Sequence, residues 1–221
     1  MTPPLAVDID GTLSRADSSI EGRVFETLRE WDAPVVVATG KALPYPVALC
    51  QFVGVDPNVV AENGGVSHAA DTLHYHGDRE AADAVVSAYR EAGHDLGWGE
   101  VDLVNRWRET EVAVSRESPL APLERLAAEH GLEVVDTGYA YHVKSADVSK
   151  GRALAAVAAD LGVEPSAFLA VGDSVNDVSM FEVAGRSRAV ANADEAAKSA
   201  AEEVVDGSYA DGFLEAVRPF A

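Results

Sequence analysis

The chain has 221 residues, 48% of them hydrophobic, enough to bury a sizeable core as one large domain or one domain carrying a smaller one. A formal net charge of −20, from 37 acids against 17 Lys and Arg, excludes nucleic acid and anionic membranes as partners, because both are bound by cations that neutralise phosphates. The acids are spread among apolar residues and only four lysines occur (Lys41, Lys144, Lys150 and Lys198), a balance that fits a high-salt cytoplasm, where counterions screen self-repulsion.

In chain order, MTPPLAVDID has no basic region before its apolar run, so no secretory signal is expected and a cytoplasmic location is. Runs such as APVVVAT (33–39) and AFLAVG (167–172) are strand-length, far below the roughly 18 apolar residues of a membrane span. The pattern predicts a strand at 5–9, a helix at 21–31, a strand at 34–39, a helix at 44–53 and a short strand at 58–61. Cys50 is the single cysteine, which leaves no intramolecular disulfide and fits a reducing compartment. From 78 to 146 the texture changes to a helix (79–92), a Gly- and Trp-containing loop, a strand (111–115), a helix (119–130) and strands at 132–136 and 139–144. Alternation then resumes with a helix at 150–161, a strand at 167–171, a helix at 176–184, a strand at 188–190 and a helix at 193–201. The expectation is an α/β fold: a doubly wound, parallel-sheet, Rossmann-like core from 1–77 and 147–221, with a smaller α+β domain inserted at 78–146.

Ligands of such sheets bind beyond the carboxyl ends of strands, which draws attention to LAVDIDGTL. If the strand runs through Ile9, the side-chain period of two points Asp8 and Asp10 the same way. Like charges so placed call for a cation or a proton, and a hard ion such as Mg²⁺ suits carboxylate oxygens. An ordinary acidic turn is the competing reading of these residues alone.

The chain resembles the haloacid dehalogenase superfamily of phosphatases, whose first motif, DxDGT, stands here as Asp8-Ile9-Asp10-Gly11-Thr12. Thr39, followed by Gly40 and Lys41, matches the second motif. Lys150, at a helix start with Ser149 as its cap, matches the third, and Gly172-Asp173-Ser174-Val175-Asn176-Asp177 matches the fourth. The GDSVND form and the ENGG of 62–65 are similar to the branch with a large cap domain between the second and third motifs. The resemblance implies Mg²⁺ held by the carboxylates of Asp8 and Asp173, the backbone carbonyl of Asp10, and Asp177 directly or through water. It implies Asp8 as nucleophile, Asp10 as general acid and then base, and Lys150, Thr39 and Gly40 on the phosphoryl group.

ENGG, RETEVAV (108–114) and YAYHVKSADVSKGRAL are similar to the archaeal phosphoglycolate phosphatases, which implies a small phosphorylated carboxylate as substrate. Arg108, or Arg106, could pair with that carboxylate in bidentate fashion, unless it is a surface partner of nearby acids. His142 is expected to be structural, and Trp98 and Trp107 to pack within the inserted domain or at its interface. A sugar-phosphate phosphatase stays open, as does a homodimer. From another class, so does a non-enzymatic phospho-accepting receiver, although it needs neither Asp10 nor an inserted domain.

Overall fold

The computed structural model describes residues 2–220; residues 1 and 221, the outer ends of the expected core, lie outside it. An eight-stranded sheet has the order β11-β10-β9-β1-β2-β3-β4-β5. Its centre is β1 (Leu5–Asp8), flanked by β2 (Val35–Ala38) and β9 (Leu169–Gly172), both parallel to it. β3 (Asn58–Ala61) continues the parallel sheet on one side, and β10 (Arg186–Ala189) and β11 (Glu203–Val204) on the other. Every residue of β1, β2, β3 and β9 is buried, as befits parallel strands covered on both faces. The covering helices are α1 (Gly22–Arg29), α2 (Pro44–Val53), α5 (Lys150–Asp160), α6 (Val178–Val183), α7 (Glu195–Ala200) and α8 (Tyr209–Val217).

The elements at 79–145, ahead of α5, form a second unit with its own hydrophobic cluster. Its sheet, of order β6-β8-β7, is antiparallel and is built from β6 (Val112–Ser115), β7 (Leu132–Asp136) and β8 (Ala140–Ser145). α3 (Arg79–Glu91) and α4 (Leu120–Glu129) supply Val85, Tyr89 and Leu123 to a core shared with Val114 and Val143, all without exposed surface. α3 begins where the Asp78 side chain accepts the amide of Ala81 at 3.0 Å, an N-cap that fixes the entry into this unit.

Three expectations need correction. The first strand ends at Asp8 rather than at Ile9: the chain turns through Ile9–Leu13, so Asp8 and Asp10 are not neighbours on one strand face. Gly11 takes φ 86° there, and a Cβ would overlap the Asp173 carboxylate. Second, the sheet is not wholly parallel, because β4 (Val66–Ala69) and β5 (Thr72–Tyr75) form an unforeseen antiparallel hairpin on its edge. Its two loop residues, Ala70 and Asp71, both have positive φ, the geometry that favours Asn-Gly, so the usual sequence signature is missing. Third, β11 and α8 extend the fold beyond the last expected helix.

Candidate active site

The chain leaves the adjacent strands β1 and β9 in opposite directions, which opens a crevice beyond their carboxyl ends. Asp8 closes β1, Asp173 follows β9, and Asp177 ends the short turn 175–177 before α6. Lys150 is the first residue of α5, whose cap is Ser149. Carboxylate oxygens of Asp8, Asp173 and Asp177 all lie within 4.8 Å of one another. The Lys150 ammonium donates to Asp8 Oδ1 at 2.7 Å and to Asp177 Oδ1 at 2.6 Å. Asp177 Oδ2 accepts the amides of Asp173 and Ser174 at 3.0 and 3.1 Å, and Thr12 Oγ1 donates to Asp173 Oδ1 at 3.1 Å.

One buried lysine therefore faces three acids, and the imbalance shows in their proton affinities. Burial raises Asp8 well above the usual carboxylate range; Lys150 opposes this, but Asp177 and Asp173 reinforce it. Burial, with Asp177 adding to it, pushes Asp173 up to about 7. Lys150 stays charged, because Asp177 and Asp8 more than reverse the effect of its burial. Asp8 Oδ2 is buried and meets no hydrogen-bond partner among the described residues. An orphaned carboxylate oxygen in an all-oxygen cluster of surplus negative charge fits a hard divalent cation. Asp8 and Asp173 have oxygens to offer it, whereas Asp177 already accepts three hydrogen bonds.

A cavity of about 270 Å³ opens onto this cluster, lined by Asp8, Asp10 and Asp173 together with Lys41, Arg108 and His142. Asp10 is half-exposed, its carboxylate 3.0 Å from the Lys41 ammonium. Gly40 lines the cavity. Thr39 is fully buried, and its hydroxyl accepts the amide of Lys41 at 3.1 Å, which leaves its own O–H as a donor. The same bond shapes the turn that carries Gly40 and Lys41.

Arg108 reaches the cavity from the inserted unit; it is buried, with Nε and Nη1 engaged. Nη1 serves Glu111 and, at 3.0 Å, the Gly40 carbonyl, while Nε serves the Val104 carbonyl at 3.1 Å. The surface reading of Arg108 is thus replaced by a buried pair with Glu111. His142 bonds Glu111 Oε1 through Nδ1 at 2.8 Å, and Asn63 Nδ2 donates to Glu111 Oε2 at 3.0 Å. Asn176 completes the link, donating to Asn63 Oδ1 at 3.0 Å. This network ties the inserted unit to the loops after β3 and β9. Glu62 adds to it by accepting the amides of Glu109 and Thr110 at 2.9 Å each. Gly64, at φ 99°, packs where a Cβ would overlap the Ser149 carbonyl, so ENGG also touches the cap of the Lys150 helix. Trp98 packs against the inserted unit's core, and Trp107 meets Tyr45 edge-on at 6.3 Å.

Sequence reasoning quoted Lys41, Glu111, Asn63 and Asn176 within its motifs without giving any of them a role. Lys41 directly follows Thr39-Gly40, which was signal enough. The other three become visible only when loops distant in sequence are brought together.

A family model described as haloacid dehalogenase-like hydrolase matches residues 5–102 and 124–217. A phosphoglycolate phosphatase of Halobacterium salinarum is 65% identical over 215 residues, 97% of this chain and 96% of that protein. One from Haloarcula marismortui is 59% identical over 221 residues, 99% of this chain and 97% of its own. A crystal structure of a Thermoplasma acidophilum protein superposes with a TM-score of 0.85 at 25% identity, covering 100% of this chain and 98% of that one.

Proposed function

The chain belongs to the haloacid dehalogenase-like hydrolases, and on that premise we propose that it hydrolyses 2-phosphoglycolate to glycolate and phosphate, with Mg²⁺ as its cation. Hydrolases of this family generally use a divalent metal. The observation that carries the proposal is Asp8: a buried carboxylate at the carboxyl end of the central strand, one oxygen on Lys150 and the other without a partner among the described residues. The substrate is supported by the full-length likeness to proteins named phosphoglycolate phosphatase. A phospho-accepting receiver is disfavoured by Arg108 and His142 of the inserted unit, which line the same cavity as Asp8.

In this reading an oxygen of Asp8 attacks phosphorus as the bond to the glycolate oxygen breaks, and Asp10 gives that oxygen its proton. Water then attacks the aspartyl-phosphate, Asp10 takes up the water's proton, and phosphate leaves as the Asp8 carboxylate returns. Asp8, Asp173 and the Asp10 backbone carbonyl would hold the cation, with Asp177 adjoining. When bound, Mg²⁺ supplies positive charge that screens the repulsion between carboxylate and phosphate. Lys150 orients Asp8 and adds positive charge beneath the phosphoryl group. The turn at Thr39 and Gly40 forms a wall beside it. The work is placed in a reducing, salt-rich cytoplasm, which the single buried Cys50 and the charge of −20 support.

Phosphate release from 2-phosphoglycolate, sugar phosphates and p-nitrophenyl phosphate, measured in high salt, tests this reading. 2-Phosphoglycolate should give the highest kcat/KM, EDTA should remove the activity and Mg²⁺ restore it. A sugar phosphate that outruns 2-phosphoglycolate overturns the substrate, and turnover untouched by EDTA overturns the metal.

A further inference from the structure

The cavity presents two cationic side chains to whatever lies beyond the phosphate, and they are not equivalent. Arg108 keeps the donors of Nη2, but Nε and Nη1 are committed to two carbonyls and to Glu111, and its charge is matched by a carboxylate as buried as itself. A ligand carboxylate brought there would meet Glu111 as a like charge, and a buried pair is costly to open. Lys41 is half-exposed, as is its partner Asp10, and an exposed pair exchanges partners at little cost. The ammonium has three N–H groups, so donors remain after Asp10 is served. It also sits 5.9 Å from the ring centroids of both Tyr45 and Tyr139, one from the main sheet's α2 and the other from the turn between β7 and β8. Two π faces hold the charge in place from both sides of the crevice.

Lysine usage points the same way. Of the four lysines, Lys144 and Lys150 are buried in ion pairs and Lys198 faces Glu195 across one helix turn. Lys41 is the one placed on this cavity's wall.

We infer that Lys41, not Arg108, is the specificity-determining group that reads the substrate's carboxylate, with Tyr45 and Tyr139 fixing its ammonium. Arg108 is then a strut that seats the inserted unit on Gly40. The inference rests on a phosphorylated carboxylate as substrate, and the test separates the two. Phosphate release from 2-phosphoglycolate and from ethyl phosphate, which has the same two carbons without the carboxylate, is measured with Mg²⁺ for wild type, Lys41→Met, Lys41→Gln and Lys41→Arg. In Lys41→Met and Lys41→Gln, kcat/KM for 2-phosphoglycolate should fall roughly 10- to 100-fold further than for ethyl phosphate, mainly through KM. Lys41→Arg should recover most of the preference, and inhibition by glycolate should weaken in step with the Met and Gln variants. Equal losses on both substrates would mean that Lys41 acts only through Asp10 and would overturn the assignment. So would a folded Arg108→Gln protein that loses the preference while Lys41→Gln keeps it. Wild type that releases no phosphate from 2-phosphoglycolate brings down the substrate reading as well; wild type that releases it beside equal losses brings down Lys41 alone.

Discussion

Two buried ionic clusters lie within the same crevice and are built to opposite specifications. Around Lys150, one cation faces Asp8, Asp173 and Asp177, and an Asp8 oxygen has no partner among the described residues. Around Glu111, one acid faces Arg108 and His142, and Asn63 donates to it as well. The proton affinities diverge accordingly. Asp8 and Asp173 are raised, the latter to about 7. Burial would raise Glu111 too, but His142 and Arg108 outweigh it and bring it down to about 2. The difference separates a site from a strut. A cluster that closes its own charge and hydrogen bonds holds two parts of the fold together, whereas one left with surplus charge and an orphaned oxygen is held ready for an ion and a substrate.

The largest effect expected from this contrast is on turnover. Asp8→Asn removes the nucleophile from the unbalanced cluster and should lower phosphate release on the order of 10⁴-fold or more. It also removes one of three crowded charges, so in EDTA the variant should melt no lower than wild type by calorimetry. Substantial activity in Asp8→Asn would end the nucleophile assignment, and a large fall in Tm would show that this cluster is a strut after all.

The converse change is Glu111→Gln. It strands the Arg108 guanidinium without a counter-charge in a buried position and should cost about 3–5 kcal/mol of stability in urea unfolding. Turnover of the protein that stays folded should fall far less than in Asp8→Asn, because Glu111 touches no reacting group. A loss of activity on the Asp8→Asn scale with stability intact would assign Glu111 to the chemistry and dissolve the contrast.

How far each cluster could be read in the sequence follows from the same distinction. Asp8, Lys150 and Asp173 sit at strand ends or a helix start, in short motifs, and the alternation of strands and helices already brings such ends to one edge of a parallel sheet. The balanced cluster has no local signature. Glu111 precedes β6, and His142 lies in β8 opposite Ala113, a register that no stretch of either segment declares alone. The β4–β5 hairpin was invisible because Ala70-Asp71 occupies a turn usually marked by Asn-Gly. β11 was missed because two exposed residues carry no periodicity. Asp10 was misplaced for a backbone reason: a period of two holds only while the strand lasts, and this one ends at Asp8.

The finest test of the contrast is the pH dependence of stability, where the clusters act with opposite sign. Asp173 in the metal-free protein has its carboxyl raised to about 7, so the folded state holds a proton that the unfolded state has released. Stability should therefore fall as pH rises from about 4 to about 7, by about 2–4 kcal/mol. Glu111 is depressed to about 2, so its contribution is full above the ordinary carboxylate range and is lost as pH falls through about 2. Urea unfolding in EDTA should show the first slope, and saturating Mg²⁺ should flatten it, since a bound cation keeps Asp8 and Asp173 ionised at neutral pH. Glu111→Gln should leave the slope between about 4 and 7 in place and abolish the acid limb below it. A slope that survives Mg²⁺, or that vanishes with Glu111→Gln, would mean that the surplus charge resides elsewhere than at the end of β1.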